Sequence, residues 1–270
     1  MKKVKLKALI LASFIFLLIG CGGGSSSAKK MWRITQDNAV QTYNSITLAV
    51  DSIDVLKRLF EINSIEKNNS CYQEKENLIT FNNCKTNAYW DNVTYNGSIE
   101  IVQDTNNSMI IKPYGLNITV ENQNNRYRYN INFNSGTIKL HILDYKISKA
   151  SKVSMELYDS KGNSVKWDNF SYYEENNTTF IHGYISSSII NNEWLQITPS
   201  TKIFSKFEND IKKIKGLLVV EGYANTTLKV SKKSFDSQTV EVYVNNELID
   251  ELDYEEFKKK YNKRNEYLKK

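Results

Sequence analysis

From about Leu78 to Leu252 apolar residues recur at every second position, and this period confines the chain to strands. The alternation is clearest in Ser98-Ile99-Glu100-Ile101-Val102, Leu116-Asn117-Ile118-Thr119-Val120 and Thr239-Val240-Glu241-Val242-Tyr243-Val244. It is equally plain in Tyr127-Arg128-Tyr129-Asn130-Ile131-Asn132-Phe133 and in Thr137-Ile138-Lys139-Leu140-His141-Ile142. Successive side chains of a strand point to opposite faces, so each run presents one apolar and one wet face, as antiparallel meanders do. The links between runs are short and polar. Ser160-Lys161-Gly162-Asn163 separates Val153–Tyr158 from Val165–Trp167, and Asn245-Asn246 separates Val244 from Leu248-Ile249, so both read as hairpin turns.

A one-sided sheet must cover its apolar face, and one segment offers the cover. Over residues 37–62, Ala39, Tyr43, Ile46, Val50 and Ile53 recur at helical spacing, and Leu56, Leu59, Phe60 and Ile62 prolong the stripe, with Thr35 or Asp37 able to cap its start. A second helix is expected over 253–268. Asp253 and Glu256 form a capping-box-like pair, Tyr254, Phe257, Tyr261 and Leu268 share a stripe, and acids crowd the start while lysines crowd the end, as the helix dipole favours. The predicted class is therefore mainly β (α+β). It is a curled antiparallel meander or open barrel packed on an N-terminal amphipathic helix, forming one domain over residues 31–270. In shape this resembles envelope lipid-binding domains. A faint repeat runs through the strands: Gly97 and Gly136 are 39 residues apart in similar settings, as are Gly183 and Gly222, which suggests a duplicated hairpin unit.

The first 20 residues read as targeting. Lys2, Lys3, Lys5 and Lys7 precede an apolar run from Ala8 to Ile19 that is too short for a membrane span, which needs about 20 residues. The run ends in Leu18-Ile19-Gly20-Cys21, which resembles the lipobox of bacterial lipoproteins. The resemblance implies a thioether-linked diacylglycerol on Cys21, cleavage before it, and further acylation that makes the anchor firm. Residues 21–30 then carry the lipid site and a Gly/Ser tether. Gly22 stands where an inner-membrane retention signal has aspartate, which favours the outer membrane.

The whole chain has 36 basic and 30 acidic residues, but the four lysines of the leader account for most of the excess and leave 32 against 30. That balance excludes the basic stripe expected of a nucleic-acid binder. With Cys21 committed to lipid, Cys71 and Cys84 remain as a pair, and an oxidising envelope favours a disulfide between them. A Cys71 nucleophile assisted by His141 or His182 is the competing reading, since a thiolate needs an imidazole beside it. Two distant histidines, with no metal spacing, phosphate loop or serine elbow, point to no cofactor, no metal and no familiar enzyme. Three acidic-extended sequons, at Asn68, Asn106 and Asn177, match the acceptor pattern for bacterial periplasmic N-glycosylation. The expected function is a lipid-anchored, non-enzymatic binding or structural module for a lipid, a glycan or a protein. The alternative is an envelope hydrolase with an unrecognised carboxylate pair. An apolar cavity of about 300 Å³ or more would favour a lipid binder, and a polar cleft with converging carboxylates a hydrolase.

Overall fold

A computed structural model of the chain describes residues 28–59, 70–88, 91–105, 108–122, 128–141, 147–175, 178–208 and 211–263. Helix α1 (Ala39–Leu59) leads into strands β1 (Tyr72–Lys75), β2 (Leu78–Ala88), β3 (Asp91–Thr105), β4 (Ser108–Asn122), β5 (Arg128–His141), β6 (Ile147–Asp159) and β7 (Ser164–Glu175). These are followed by β8 (Thr178–Ser187), β9 (Trp194–Ile197), β10 (Lys202–Glu208), β11 (Ile211–Glu221), β12 (Thr227–Lys232), β13 (Thr239–Val244) and β14 (Glu247–Asp253), and helix α2 (Tyr254–Tyr261) closes the described chain. All 14 strands join one sheet, ordered as a meander from β1 to β14. The mainly β, antiparallel architecture expected from the alternation is therefore the one observed, with a helix on each side of the sheet in sequence. Neither helix is long and apolar enough to cross a membrane, which says nothing of strands.

The strands of the first half are long, and they are bent. Apolar residues, all buried except half-buried Ile101, cross them in two rows. One row runs Cys84–Tyr95–Ile118–Ile131–Leu157–Val165, and the other Ile101–Ile111–Ile138–Ala150–Tyr172–Ile181, each linked by direct strand partners. Between the rows lies a seam of β-bulges. On β2, β4, β6 and β7 the inward step lengthens from two residues to three, at Phe81–Cys84, Pro113–Leu116, Ala150–Val153 and Trp167–Phe170. The extra residue there has positive φ in each case: Asn83, Gly115, Lys152 and Asn169. Facing them, β3, β5 and β8 place Gly97, Gly136 and Gly183, also at positive φ. A bulge bends its strand and raises the local twist, so a line of bulges creases the sheet and curls its apolar face inward. A sheet of more than about ten strands needs some such device to stay compact.

The bulges leave backbone donors without ladder partners, and side chains of a neighbouring strand accept from them. Asn83 N–H donates to Asn96 Oδ1 at 2.7 Å, Lys152 N–H to Ser171 Oγ at 3.1 Å, and Asn169 N–H to Ser154 Oγ at 3.2 Å. The two runs expected around Phe133 and Thr137 prove to be one strand, β5, continued through Gly136. Of the two glycine pairs 39 residues apart, Gly97, Gly136 and Gly183 share the crease, whereas Gly222 does not; a Cβ there would lie 2.2 Å from the Trp32 carbonyl oxygen. Gly222 is needed for that close approach, so the second half of the repeat is not a duplicated hairpin position.

Both predicted hairpins form. Asp159 Oδ1 accepts from the backbone of Lys161 and Asn163 in the first, and Asn245 and Asn246 take φ of 52° and 69° in the second, the left-handed pair a type I′ turn requires.

Helix α1 begins at Ala39, and Asn38, not Thr35 or Asp37, organises the approach, accepting from Thr35 N–H and donating to Arg33 O. Its buried face differs from the apolar stripe. Ala39, Ile46 and Ala49 are buried, but so are Thr42 and Ser45 between them and Ser52 one turn beyond, and these small side chains let the helix sit close on the sheet. Ser45 Oγ meets Ser187 Oγ of β8 at 2.8 Å, and Gln41 Nε2 donates to Ile189 O at 2.5 Å. Tyr43 points instead to α2, edge-on to Phe257 at 5.1 Å and Tyr261 at 5.8 Å. Phe60 and Ile62 lie outside the described residues. Helix α2 is capped by Asp253, which accepts from Glu256 N–H as predicted, but it stops at Tyr261 and not at 268. Asn262 closes the helix on Lys258 O, and Lys263 N–H then leaves it to donate to Asn44 Oδ1 of α1. Leu268 lies outside the described residues.

Candidate functional site

Strands β9 and β10 share one lane of the sheet between β8 and β11, end to end. The break between them is Thr198-Pro199-Ser200-Thr201, where proline lacks the N–H a central ladder needs. Thr201 mends the gap: its Oγ1 donates to Val219 O at 3.1 Å and accepts from Val219 N–H at 3.0 Å. Directly after the break the register sets Lys202 beside Leu217 and Leu217 beside Ser231, and Ile203 beside Gly216 and Gly216 beside Lys232.

A cleft of about 470 Å³ opens over these rows, lined by Lys202, Lys215, Lys232 and Lys233 with the hydroxyls of Ser200 and Ser231. Every residue lining it is basic or neutral. Each ammonium is held by its surroundings. Lys202 Nζ stands 5.7 Å from the Phe180 ring and Lys215 Nζ 4.8 Å from the Phe235 ring. Lys232 Nζ donates to Ser234 O at 3.2 Å and Phe235 O at 3.1 Å, and lies 5.8 Å from the Tyr254 ring. Lys233 Nζ contacts Glu241 Oε1 at 2.5 Å; that hydrogen bond pushes the ammonium above its ordinary value and draws the carboxyl below its own. A lysine so held stays charged and is no base at neutral pH.

An apolar recess of about 200 Å³ is lined by Ile203, Leu218, Val230, Val240 and the rings of Tyr43 and Phe257. Lys215, Gly216, Leu217 and Lys232 line both spaces, but the strands alternate: Lys202, Leu217 and Ser231 share one face of the sheet, and Ile203, Gly216 and Lys232 the other, where a Cβ on Gly216 would meet the Lys202 carbonyl oxygen at 2.4 Å. The recess falls below the roughly 300 Å³ of a typical ligand cavity, while the cleft lies within the range. The cleft offers positive charge to an anion, and the recess offers apolar surface on the other face.

The residues singled out by sequence are elsewhere. Cys71 and Cys84 are joined as a disulfide, their Cα atoms 5.2 Å apart. A sulfur in a disulfide is no thiolate, so the Cys71 nucleophile falls. His182 stands on β8 across from Ser171, and His141 on β5 across from Ser108. Among the described residues no group of three or more His, Cys, Asp or Glu could hold a metal ion. Several carboxylates are engaged with lysines: Glu156 with Lys166, Asp168 with Lys29, Glu193 with Lys30 and Asp250 with Lys260. Cys21 and the sequon residues Asn68, Asn106 and Asn177 lie outside the described residues. The four cleft lysines escaped sequence reasoning because they come from three strands and a turn, and only the register past Pro199 gathers them. No protein-family model, curated protein or solved structure matches the chain.

Proposed function

We propose that this chain is a lipid-anchored cell-envelope protein, held at the outer membrane through Cys21, whose β-rich domain binds a ligand without transforming it. The observation that carries the reading is Leu18-Ile19-Gly20-Cys21 at the end of a short apolar run behind four lysines. The disulfide supports it, because two of the three cysteines are spent on each other and Cys21 is the one left for lipid. A disulfide also suits an oxidising compartment. Met31 bridges to Trp194, so the domain already includes the residue directly after the expected tether. The binding role is supported by the cleft, whose lining offers fixed positive charge and apolar surface.

Mass spectrometry of the protein extracted from membranes tests the anchor. The expected N-terminal peptide begins at Cys21 and carries acyl mass, and Cys21→Ser abolishes both processing and partition into detergent. An unmodified Cys21 in the membrane fraction overturns the reading. The same spectra read glycan mass at Asn68, Asn106 and Asn177.

A further inference from the structure

We infer that one end of the sheet rests on the lipid surface, with Tyr223 and Leu248 entering its interface. The inference rests on the anchor reading above and adds the surface by which the anchored domain sits on a membrane. The root of the expected tether is clamped to the body. Lys29 Nζ contacts Asp168 Oδ2 at 2.6 Å and lies 5.1 Å from the Tyr184 ring and 5.5 Å from the Trp194 ring, and Lys30 pairs with Glu193 at 2.5 Å. Eight steps of chain separate Cys21 from Lys29, and they extend to at most about 29 Å. Three residues past Lys29, Trp32 O accepts from Tyr223 N–H at 2.8 Å, so the root stands at the end of the sheet where β11 finishes. The other end of β11, at Ile211, lies ten residues back from Glu221, about 33 Å along the strand. A domain standing on that far end would hold the root farther from the bilayer than the tether reaches.

The near end presents two exposed tips. Tyr223 is 57% exposed on the Tyr223–Asn225 turn, and Leu248 is 50% exposed just past the β13–β14 hairpin. Hydrogen bonds join both tips and the segment behind the tether into one surface: Ile34 N–H donates to Thr226 Oγ1, Asn245 N–H to Thr227 O, and Gln36 Nε2 to Glu247 Oε2. Tyrosine offers a lipid interface an apolar ring with a polar tip, and leucine adds apolar surface to bury there. Charge gives no comparable pull, since Lys30 and Arg33 share this end with Asp37, Glu193 and Glu247. The occupant is therefore the interface of a bilayer, whatever its headgroup charge.

The membrane-extracted full-length chain, its acyl mass checked first, is reconstituted into phosphatidylcholine vesicles with a nitroxide on one introduced cysteine; Cys71 and Cys84 are joined and do not react. Ala224→Cys and Glu247→Cys report the two tips with Tyr223 and Leu248 kept. Gln238→Cys reports the far end of β13, and Lys202→Cys the sheet face opposite Ile203. Labels at 224 and 247 are expected to be at least fivefold less accessible to a water-soluble nickel chelate than those at 238 and 202, equally in about 0.1 M and about 1 M salt. Tyr223→Ser with Leu248→Ser should bring 224 and 247 to the level of 238. Where that pair lowers the melting temperature, Tyr223→Ser alone is read at 224 and Leu248→Ser alone at 247. Equal accessibility at all four positions, strongest shielding at 202 or 238, or shielding that salt removes or the serines leave intact, overturns the inference, while acyl mass on Cys21 leaves the anchor standing. A chain without that mass sinks the anchor and the inference with it.

Discussion

At the scale of single residues, the crease makes glycines of equal appearance unequal. Gly136 has φ +122° and a Cβ there would meet Val153 Cα at 2.6 Å, and Gly183 has φ +124° with Phe170 Cα at 2.6 Å. Gly115 has φ +56° and nothing within 4 Å, a left-handed site that asparagine tolerates. Alanine at 136 or 183 is therefore expected to cost at least about 2 kcal/mol, from backbone strain plus displaced neighbours. Gly115→Asn should stay within about 0.5 kcal/mol. Urea midpoints at constant m-value decide it, and equal losses at all three positions would mean the crease imposes no special backbone. Asp168 gives a pH-dependent contact. Its hydrogen bond from Lys29, at 2.6 Å, draws its carboxyl below the usual range, against the opposing effect of burial and helped by a bond from Ser154. A depressed folded value contributes stability above the unfolded carboxylate value of about 3.9 and loses it as pH falls through the lower folded value. Both side chains are about a third exposed, so the effect is worth no more than about 1 kcal/mol. The stability difference between wild type and Lys29→Ala should thus be constant near neutrality and shrink below about pH 4. A difference that grows in acid would contradict the assignment.

At the scale of elements, α1 is a seated helix, not an outward docking surface. Ile46 is 1% exposed and flanked by the small residues that bring the helix onto the sheet. Ile46→Ala should cost about 2–5 kcal/mol, read by thermal or urea unfolding, because the close seat leaves little room for collapse. An unchanged midpoint would favour a helix free to bind a partner. Helix α2 depends on α1 through Tyr43 and on β14 through Asp250, which Lys260 and Tyr261 both contact. Burial first, and that hydrogen bond second, push the Tyr261 phenol well above its ordinary range. The disulfide closes a loop at the β1–β2 edge with 13 residues of separation, worth roughly 3 kcal/mol in the chain-entropy description.

At the scale of the whole molecule, the first described residues are tied to strands far along the chain. Trp32 N–H donates to Trp194 O, Tyr223 N–H to Trp32 O, and Ile34 N–H to Thr226 Oγ1, 192 positions away. This segment carries α1, and its seat depends on Gly222, whose missing Cβ admits the Trp32 carbonyl. Gly222→Ala is expected to speed amide exchange of residues 30–34 and of the start of α1 selectively, leaving the rows across β3 to β7 protected. Uniform loss of protection would show that the segment and the sheet unfold as one unit. The sheet edges are blunted in different ways: β1 is four residues long with exposed Gln73, Glu74 and Lys75, and β14 is acidic and partly packed under α2.

Local chemistry alone determined the class of the fold, the hairpin turns, the Asp253 cap and the pairing of the two later cysteines. Period-two alternation, turn residues and a capping side chain act over a few positions, and with Cys21 expected to carry lipid only Cys71 and Cys84 remained to pair. What only the tertiary structure decided needs contacts between distant strands. The three-residue steps at Phe81–Cys84, Pro113–Leu116, Ala150–Val153 and Trp167–Phe170 look in sequence like lapses of alternation, and become a crease only when neighbouring strands align them. The same holds for Gly222, whose partner is Trp32, and for the true buried face of α1, set by the close approach of Ser45 to Ser187. The cationic cleft is the extreme case. Lys202, Lys215, Lys232 and Lys233 are ordinary strand and turn lysines one at a time, and they line one cleft because the strand register brings three strands together past the break at Pro199.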